Sequence, residues 1–219
     1  MSVKLTDKSL EAFVDELSSA SPTPGGGSVA ALSGALGAAL VSMVCNLTVG
    51  RKKYAGVQED VTELMEHSER LRTQLTGLIE ADAQVFTQVS QAMKMPRNTD
   101  DEKVNRAAKM EDALKAATNV PMEVAEACVG VMNLCQPVAE KGNSNAVSDA
   151  GVAMLMAEAG LRSAALNVLI NLGWIKDQEF VSVMQARLDR LLAETSGLRD
   201  EVYGFVESKL LRKHERGED

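Results

Sequence analysis

Apolar residues recur at helical spacing along nearly the whole chain. Leu10, Phe13, Val14 and Leu17 fall at i, i+3, i+4 and i+7, which predicts a first helix over Ser9 to Ala20 with these four on one face. The run from Val29 to Val49 holds no charge and many small residues, and predicts a second helix ending near Gly50. A third is expected from Gln58 until Pro96 stops it, with Val61, Leu64, Leu71, Leu75, Leu78, Ile79, Asp82, Phe86 and Val89 on one stripe. Thr99-Asp100-Asp101-Glu102 reads as a capping box for a fourth helix, which Pro121 is expected to break or restart. A turn over Lys141 to Asn145 precedes a helix covering Ser148 to Leu172, with Asn145 or Ser148 as its cap. Asp177 is placed to cap a last helix reaching toward Leu210, and Arg212 to Asp219 is expected to fray. No stretch alternates long enough to be a strand. The expectation is an all-α, elongated multi-helix bundle, one domain over residues 1–211, with apolar faces covered in a homodimer.

The uncharged run has roughly the length a bilayer requires. Its content argues otherwise: Ser28, Ser33, Ser42, Asn46 and Thr48 interrupt it, and Ala and Gly gain little from hydrocarbon. Small residues four apart, Ala30/Gly34, Gly34/Ala38 and Ala38/Ser42, instead suit a central helix packed closely on its neighbours. No membrane partner is expected. A formal charge of −8 makes nucleic acid an unfavourable partner as well. Cys45, Cys128 and Cys135 lie in apolar helical patterns without CxxC spacing, and Leu5 to Leu17 carries too many charges for a signal peptide. Both observations point to a reducing, cytoplasmic setting.

Four features bear on chemistry. Ser21-Pro22-Thr23-Pro24-Gly25-Gly26-Gly27-Ser28 opens onto the small-residue helix; prolines stiffen the entry, glycines admit close approach, and Ser28 is expected as the cap. Bare N–H groups there attract anions or polar ligand edges. Asp82 falls on the apolar stripe whereas Glu80 does not, so it reads either as a proton-transfer group of raised pKa or as a structural carboxylate held by an Arg or a helix N-terminus. Arg51-Lys52-Lys53-Tyr54 reads either as a solvated helix end or as an anion clamp. Asn167 and Asn171, one turn apart, need partners, which neighbouring helices or a heteroaromatic ligand can supply, and Asp149 suits the first turn of their helix. With only His67 and His214, no His/Cys cluster, no GxGxxG and no GxxxxGK[ST], neither a metal nor a cofactor is expected.

Pro22-Thr23-Pro24-Gly25-Gly26-Gly27-Ser28-Val29-Ala30-Ala31 closely resembles the signature of the cyclodeaminase/cyclohydrolase family of folate enzymes. Further blocks resemble it in order: Gly37 to Val44, Ala81-Asp82 followed by Phe86, Pro96 to Thr99, Gly142-Asn143 with Ser148-Asp149, and Asn167 to Leu172. The resemblance implies a helical dimer acting on one-carbon tetrahydrofolates, with Asp82 at the position of the family's proposed proton acceptor. One family reaction hydrolyses 5,10-methenyltetrahydrofolate to 10-formyltetrahydrofolate; the other closes formiminotetrahydrofolate and expels ammonia. The resemblance is to the stand-alone form of the family domain, with no formiminotransferase partner expected, and the hydrolysis is the favoured expectation. Ammonia release and a non-catalytic folate-binding scaffold are its alternatives. Substrate contacts are expected at Pro24, Gly25, Gly26, Gly27, Ser28, Asn143, Asp149, Asn167 and Asn171, with the folate glutamate tail near Arg51, Lys52 or Lys53.

Overall fold

The computed structural model describes residues 3–216, with side chains through residue 212. Its α-helices are α1 (Leu10–Leu17), α2 (Gly26–Asn46), α3 (Gln58–Met93), α4 (Asp100–Lys141), α5 (Val147–Leu172), α6 (Gln178–Glu194) and α7 (Leu198–Arg216). Short 3-10 turns occupy Leu5–Asp7, Lys52–Val57 and Ser144–Ala146, and no strand occurs among the described residues. At 36 and 42 residues, α3 and α4 extend about 54 and 63 Å and make the bundle elongated. Of the tail expected to fray, residues 212–216 continue α7 and 217–219 lie outside the described residues.

Helix α2 packs against α3, α4 and α5, and small residues set how closely. It runs antiparallel to α5: Gly37 faces Ala153 and Ala157, and Gly160 faces Ala30 and Gly34. A Cβ added to Gly34 or to Gly160 would lie 2.6 or 2.7 Å from Cys128 Sγ on α4, so three helices meet where neither glycine can carry a side chain. Ser42 and Ser68 join α2 to α3 through a buried 2.7 Å hydrogen bond. By length and hydropathy two helices could cross a membrane, Gly26–Asn46 and Ser144–Leu172, but 61% and 44% of their apolar windows are buried in the bundle. A second apolar cluster, around Met122, Val168, Met184 and Leu188, ties α6 to α4 and α5.

Two expected caps are present: Asp177 accepts from Glu179 N and Phe180 N, and Thr99 and Glu102 form the reciprocal capping box; Ser9, expected inside the first helix, is its cap instead and accepts from Ala12 N. Elsewhere the structure corrects the reading. Asn145 and Ser148 do not occupy the cap position of α5, which falls on Ala146, because the preceding 3-10 turn shifts the helix start. The long last helix is two, since Gly197 adopts φ 88° and ends the run before α7 begins. On α1 only Phe13 is buried; Leu10, Val14 and Leu17 are exposed, because this short helix touches the bundle by one edge. Phe86 is likewise 44% exposed despite its place on the α3 stripe.

Pro121 does not interrupt α4. Proline removes the N–H that would bond the carbonyl four residues earlier, here Ala117. Asn171 on α5 donates its Nδ2 to that carbonyl at 2.7 Å. The helix continues because a neighbouring side chain takes over the lost bond.

Candidate active site

The site is built around the N-terminus of α2. Pro24 is buried, the Thr23–Pro24 peptide is cis, and Ser21 Oγ donates to Thr23 O at 2.6 Å, which fixes the entry. Helix α2 begins earlier than expected, at Gly26, with Gly25 as N-cap. Ser28 is therefore not the cap; it sits in the first turn, fully buried, and its hydroxyl is aimed sideways at α3. That hydroxyl reaches Asp82 Oδ2 at 2.9 Å and Ile79 O at 3.1 Å. Gly27 permits the contact: a Cβ there would lie 2.0 Å from Asp82 Oδ1 and 2.5 Å from its Cγ. The glycine loop and the carboxylate, 55 residues apart in sequence, thus touch directly.

Asp82 is half-buried. Burial pushes its carboxyl above the ordinary carboxylate range, and hydrogen bonds from the Ser28 hydroxyl and backbone N–H act in the opposite direction without cancelling it. One part of the structural reading holds, since the carboxylate does sit at a helix N-terminus. It is also only half-buried and uncommitted to any Arg among the described residues. On the other flank of the loop, Asn167 of α5 approaches Gly26, whose added Cβ would lie 3.6 Å from Nδ2 and 3.8 Å from Oδ1. Asn167 Nδ2 donates to Ser163 O, so its Oδ1 is the atom presented to a ligand. A helix N-terminus with a carboxylate on one side and an amide on the other can hold a polar heterocycle and move a proton at its edge.

Pro24, Gly25, Gly26, Gly27, Ser28, Asp82 and Asn167 are brought together. Asn171 lies one turn beyond Asn167, but its Nδ2 serves Ala117 O. Arg51, Lys52, Lys53, Asn143 and Asp149 gather at the opposite end of α2, and its 21 residues separate the two groups by about 30 Å. That interval exceeds the length of a folate. Asn143 is a turn anchor there: its N–H donates to Thr48 Oγ1, its Nδ2 to Leu47 O, and its Oδ1 accepts from Asn145 N. Lys53 Nζ donates to Ser144 Oγ at 3.2 Å, and Tyr54 OH accepts from Ser144 N at 3.0 Å. Lys53 and Tyr54 therefore clasp the turn before α5. The carbonyl of Ile79 and the cis peptide were not foreseen; no local sequence signal marks either.

Comparison with known proteins places this arrangement in a family. The formiminotransferase-cyclodeaminase family model matches residues 9–190. Over 204 residues the chain is 52% identical to a methenyltetrahydrofolate cyclohydrolase of Methylorubrum extorquens, covering 93% of this chain and 98% of that protein. It is 38% identical to the mouse formimidoyltransferase-cyclodeaminase over 205 residues, 94% of this chain but only 38% of the mouse protein's length. A crystal structure of formiminotetrahydrofolate cyclodeaminase from Thermotoga maritima superimposes with a TM-score of 0.83 at 32% identity, covering 93% of this chain and 98% of that one. On the family match and these near-complete alignments, the chain belongs to the formiminotransferase-cyclodeaminase family.

Proposed function

We propose that the protein is a methenyltetrahydrofolate cyclohydrolase, hydrolysing 5,10-methenyltetrahydrofolate reversibly to 10-formyltetrahydrofolate within a single helical domain over residues 1–211. The observation that carries the chemistry is the Asp82 carboxylate, held by Ser28 against Gly27 at the N-terminus of α2. The 52% identity to the Methylorubrum cyclohydrolase supports the choice of reaction. The methenyl carbon is an amidinium, already electrophilic, so a positioned base suffices. Asp82 takes a proton from water as its oxygen bonds that carbon, leaving a neutral tetrahedral adduct. The adduct then breaks its C–N5 bond: Asp82 returns the proton to N5, and the hydroxyl proton leaves to solvent as the formyl C=O forms. General acid–base assistance of this kind contributes on the order of 10²–10⁴ in rate.

Pro24, Gly25, Gly26, Gly27, Ser28 and Asn167 are the substrate contacts of this reading, the pterin lying against the loop and the amide. A homodimer belongs to the same proposal, supported by exposed apolar residues on α2 (Met43), at its C-cap (Leu47) and on α5 (Val152, Leu155, Leu166, Ile170). So does a reducing, cytoplasmic setting, which suits three unpaired buried cysteines. The likeness to the Thermotoga cyclodeaminase favours a second reading, ring closure of formiminotetrahydrofolate with loss of ammonia. Two assays separate them: decay of methenyltetrahydrofolate absorbance, and ammonia released from formiminotetrahydrofolate. Accelerated methenyl decay that falls at least a hundredfold in Asp82→Asn, with folate binding retained, is the expected result. Ammonia release without methenyl decay selects the second reading, and turnover that barely changes in Asp82→Asn makes the carboxylate structural.

A further inference from the structure

Of the four phenylalanines, Phe86 is the one whose ring the fold leaves in solvent. Phe13 is buried, and Phe180 and Phe205 are half-buried with Lys115 and Lys209 over their rings. The docking of α2 on α3 accounts for the difference. Leu75 of α3 meets Gly34 of α2, and Asp82 meets Gly27, so seven residues forward on α3 match seven residues back on α2. Phe86 continues the stripe of Leu75, Ile79 and Asp82 and is therefore level with residue 23, before α2 begins at Gly26. The face of α3 that α2 covers as far as Asp82 is uncovered at Phe86, which is 44% exposed.

A ring in that position leans over the site. Helical side chains point back toward the N-terminus, so Phe86 overlies the turn that precedes its own Cα, which is the turn of Asp82. Side chains four apart on one face stand about 5–6 Å from each other. What the N-terminal end of α2 otherwise offers is polar: the Asp82 carboxylate, Asn167 Oδ1 and the first N–H groups of the helix. Such groups bind the edge of a flat heterocycle and leave its faces without a partner.

We infer that Phe86 is a substrate-binding residue, its ring stacked on the pyrimidinone ring of the pterin so that the one-carbon bridge is held at Asp82. The inference rests on the folate reading above and adds the contact to the ring face that the loop and the amide do not make. By ordinary bond lengths the methenyl carbon lies about 4 Å from the centre of the pyrimidinone ring, so a carboxylate and a phenyl ring one turn apart on α3 can serve both at once. Offset stacking is a favoured arrangement of two such rings. The pyrimidinone ring takes no part in the bond changes at the bridge carbon, so the stack is equally strong before and during the reaction. Its contribution falls on binding rather than on turnover.

The test measures tetrahydrofolate binding by anaerobic calorimetry and hydrolysis of 5,10-methenyltetrahydrofolate at steady state, both on the full chain. Phe86→Ala is expected to weaken tetrahydrofolate about tenfold and to raise KM by a similar factor, with kcat changed far less. Phe86→Tyr keeps the ring and is expected to hold most of the affinity. Phe86→Leu keeps apolar bulk without a ring and is expected to fall close to Phe86→Ala. Asp82→Asn should show the opposite split, losing kcat and retaining binding. If Phe86→Ala does not fold, the comparison of Phe86→Tyr with Phe86→Leu decides. The stack is overturned if Phe86→Leu binds as tightly as Phe86→Tyr, if the loss in Phe86→Ala falls on kcat with binding unchanged, or if Phe86→Ala alters the sedimenting mass but not ligand binding, which would make the exposed ring a seat for a second copy. A wild type that does not bind tetrahydrofolate overturns the folate reading itself, an outcome distinct from binding that ignores residue 86.

Discussion

Adding one methyl group at Gly27 should disable the site while leaving the fold in place. The Cβ of Gly27→Ala would lie 2.0 Å from Asp82 Oδ1, where carbon and oxygen need about 3.2 Å, so the carboxylate must retreat by about 1.2 Å. Such a retreat breaks the 2.9 Å hydrogen bond from Ser28 and moves the proton acceptor off its target. A displacement near 1 Å costs on the order of 10² in rate, and 10²–10³ in kcat is the expected loss. Stability should change much less. Alanine improves helix propensity by about 1 kcal/mol over glycine, and overpacking costs about 1–3 kcal/mol, leaving a net penalty of about 0–2 kcal/mol. Its neighbours are the controls. A Cβ on Gly25 meets nothing closer than Pro22 O at 4.0 Å, so Gly25→Ala should leave the Asp82 carboxylate in place and keep kcat near wild type, any loss falling on KM. Gly26→Ala places its Cβ 3.6 Å from Asn167, ordinary contact, and should raise KM rather than lower kcat if the pterin approaches there. The assay is the decay of methenyl absorbance under steady-state conditions, with circular dichroism to monitor folding. In an Asp82→Asn background Gly27→Ala should add no further loss, since both act through one carboxylate. A Gly27→Ala enzyme within threefold of Gly25→Ala, or additive losses in the double variant, would refute the contact's role.

Three further outcomes follow from the same structure. Because Asp82's folded pKa is raised, the folded state binds its proton more tightly than the unfolded chain, so this group's contribution to stability falls as pH rises through the window between the two values. Asp82→Asn should therefore melt higher than wild type at neutral pH and lose that advantage in acid, while wild-type kcat/KM shows an acid limb above the ordinary carboxylate range. Asn171→Ala should destabilise by about 1–3 kcal/mol by orphaning the Ala117 carbonyl, read as a lowered denaturant midpoint, and Pro121→Ala in the same chain should recover most of it by restoring the backbone bond. Burial pushes the thiols of Cys45 up to about 11 and of Cys128 and Cys135 up to about 12, so iodoacetamide at pH 8 should label the native protein negligibly and all three cysteines once it is unfolded.

Periodicity was enough to place Asp82 correctly. A carboxylate on the stripe with Leu75, Leu78 and Ile79 had to face the bundle, and small residues on the uncharged helix had to mean close neighbours. The same stripe misplaced Phe86, because periodicity gives a direction around a helix and not how far neighbouring helices extend to cover it. Distance along the helix is legible in the sequence too. An α2 of about twenty residues separates the glycine loop from Arg51 by about 30 Å, so the basic run could not share a ligand with Asp82 inside one chain. Gly197 after Glu194-Thr195-Ser196 likewise carried an ordinary helix-stop signal.

What could not be read is any pairing that exists only after the helices dock. Pro121 looked like a break and Asn171 like a ligand contact, each from sound local physics: proline forfeits a donor, and a half-buried amide demands a partner. The two deficits are complementary. The carbonyl freed by Pro121 is the acceptor that Asn171 supplies with a donor, across 54 residues and two helices. Gly27 and Asp82 stand in a similar relation, since a glycine's missing side chain and a carboxylate's need for room are separate facts until α2 meets α3. The sequence therefore exposes such residues as local exceptions to helical patterning, and only the packing tells which exceptions complete each other and which remain open for a substrate. By that criterion Asn171, engaged through Nδ2, leans toward structure, whereas Asp82 and Asn167 Oδ1 retain unspent capacity beside the glycine loop.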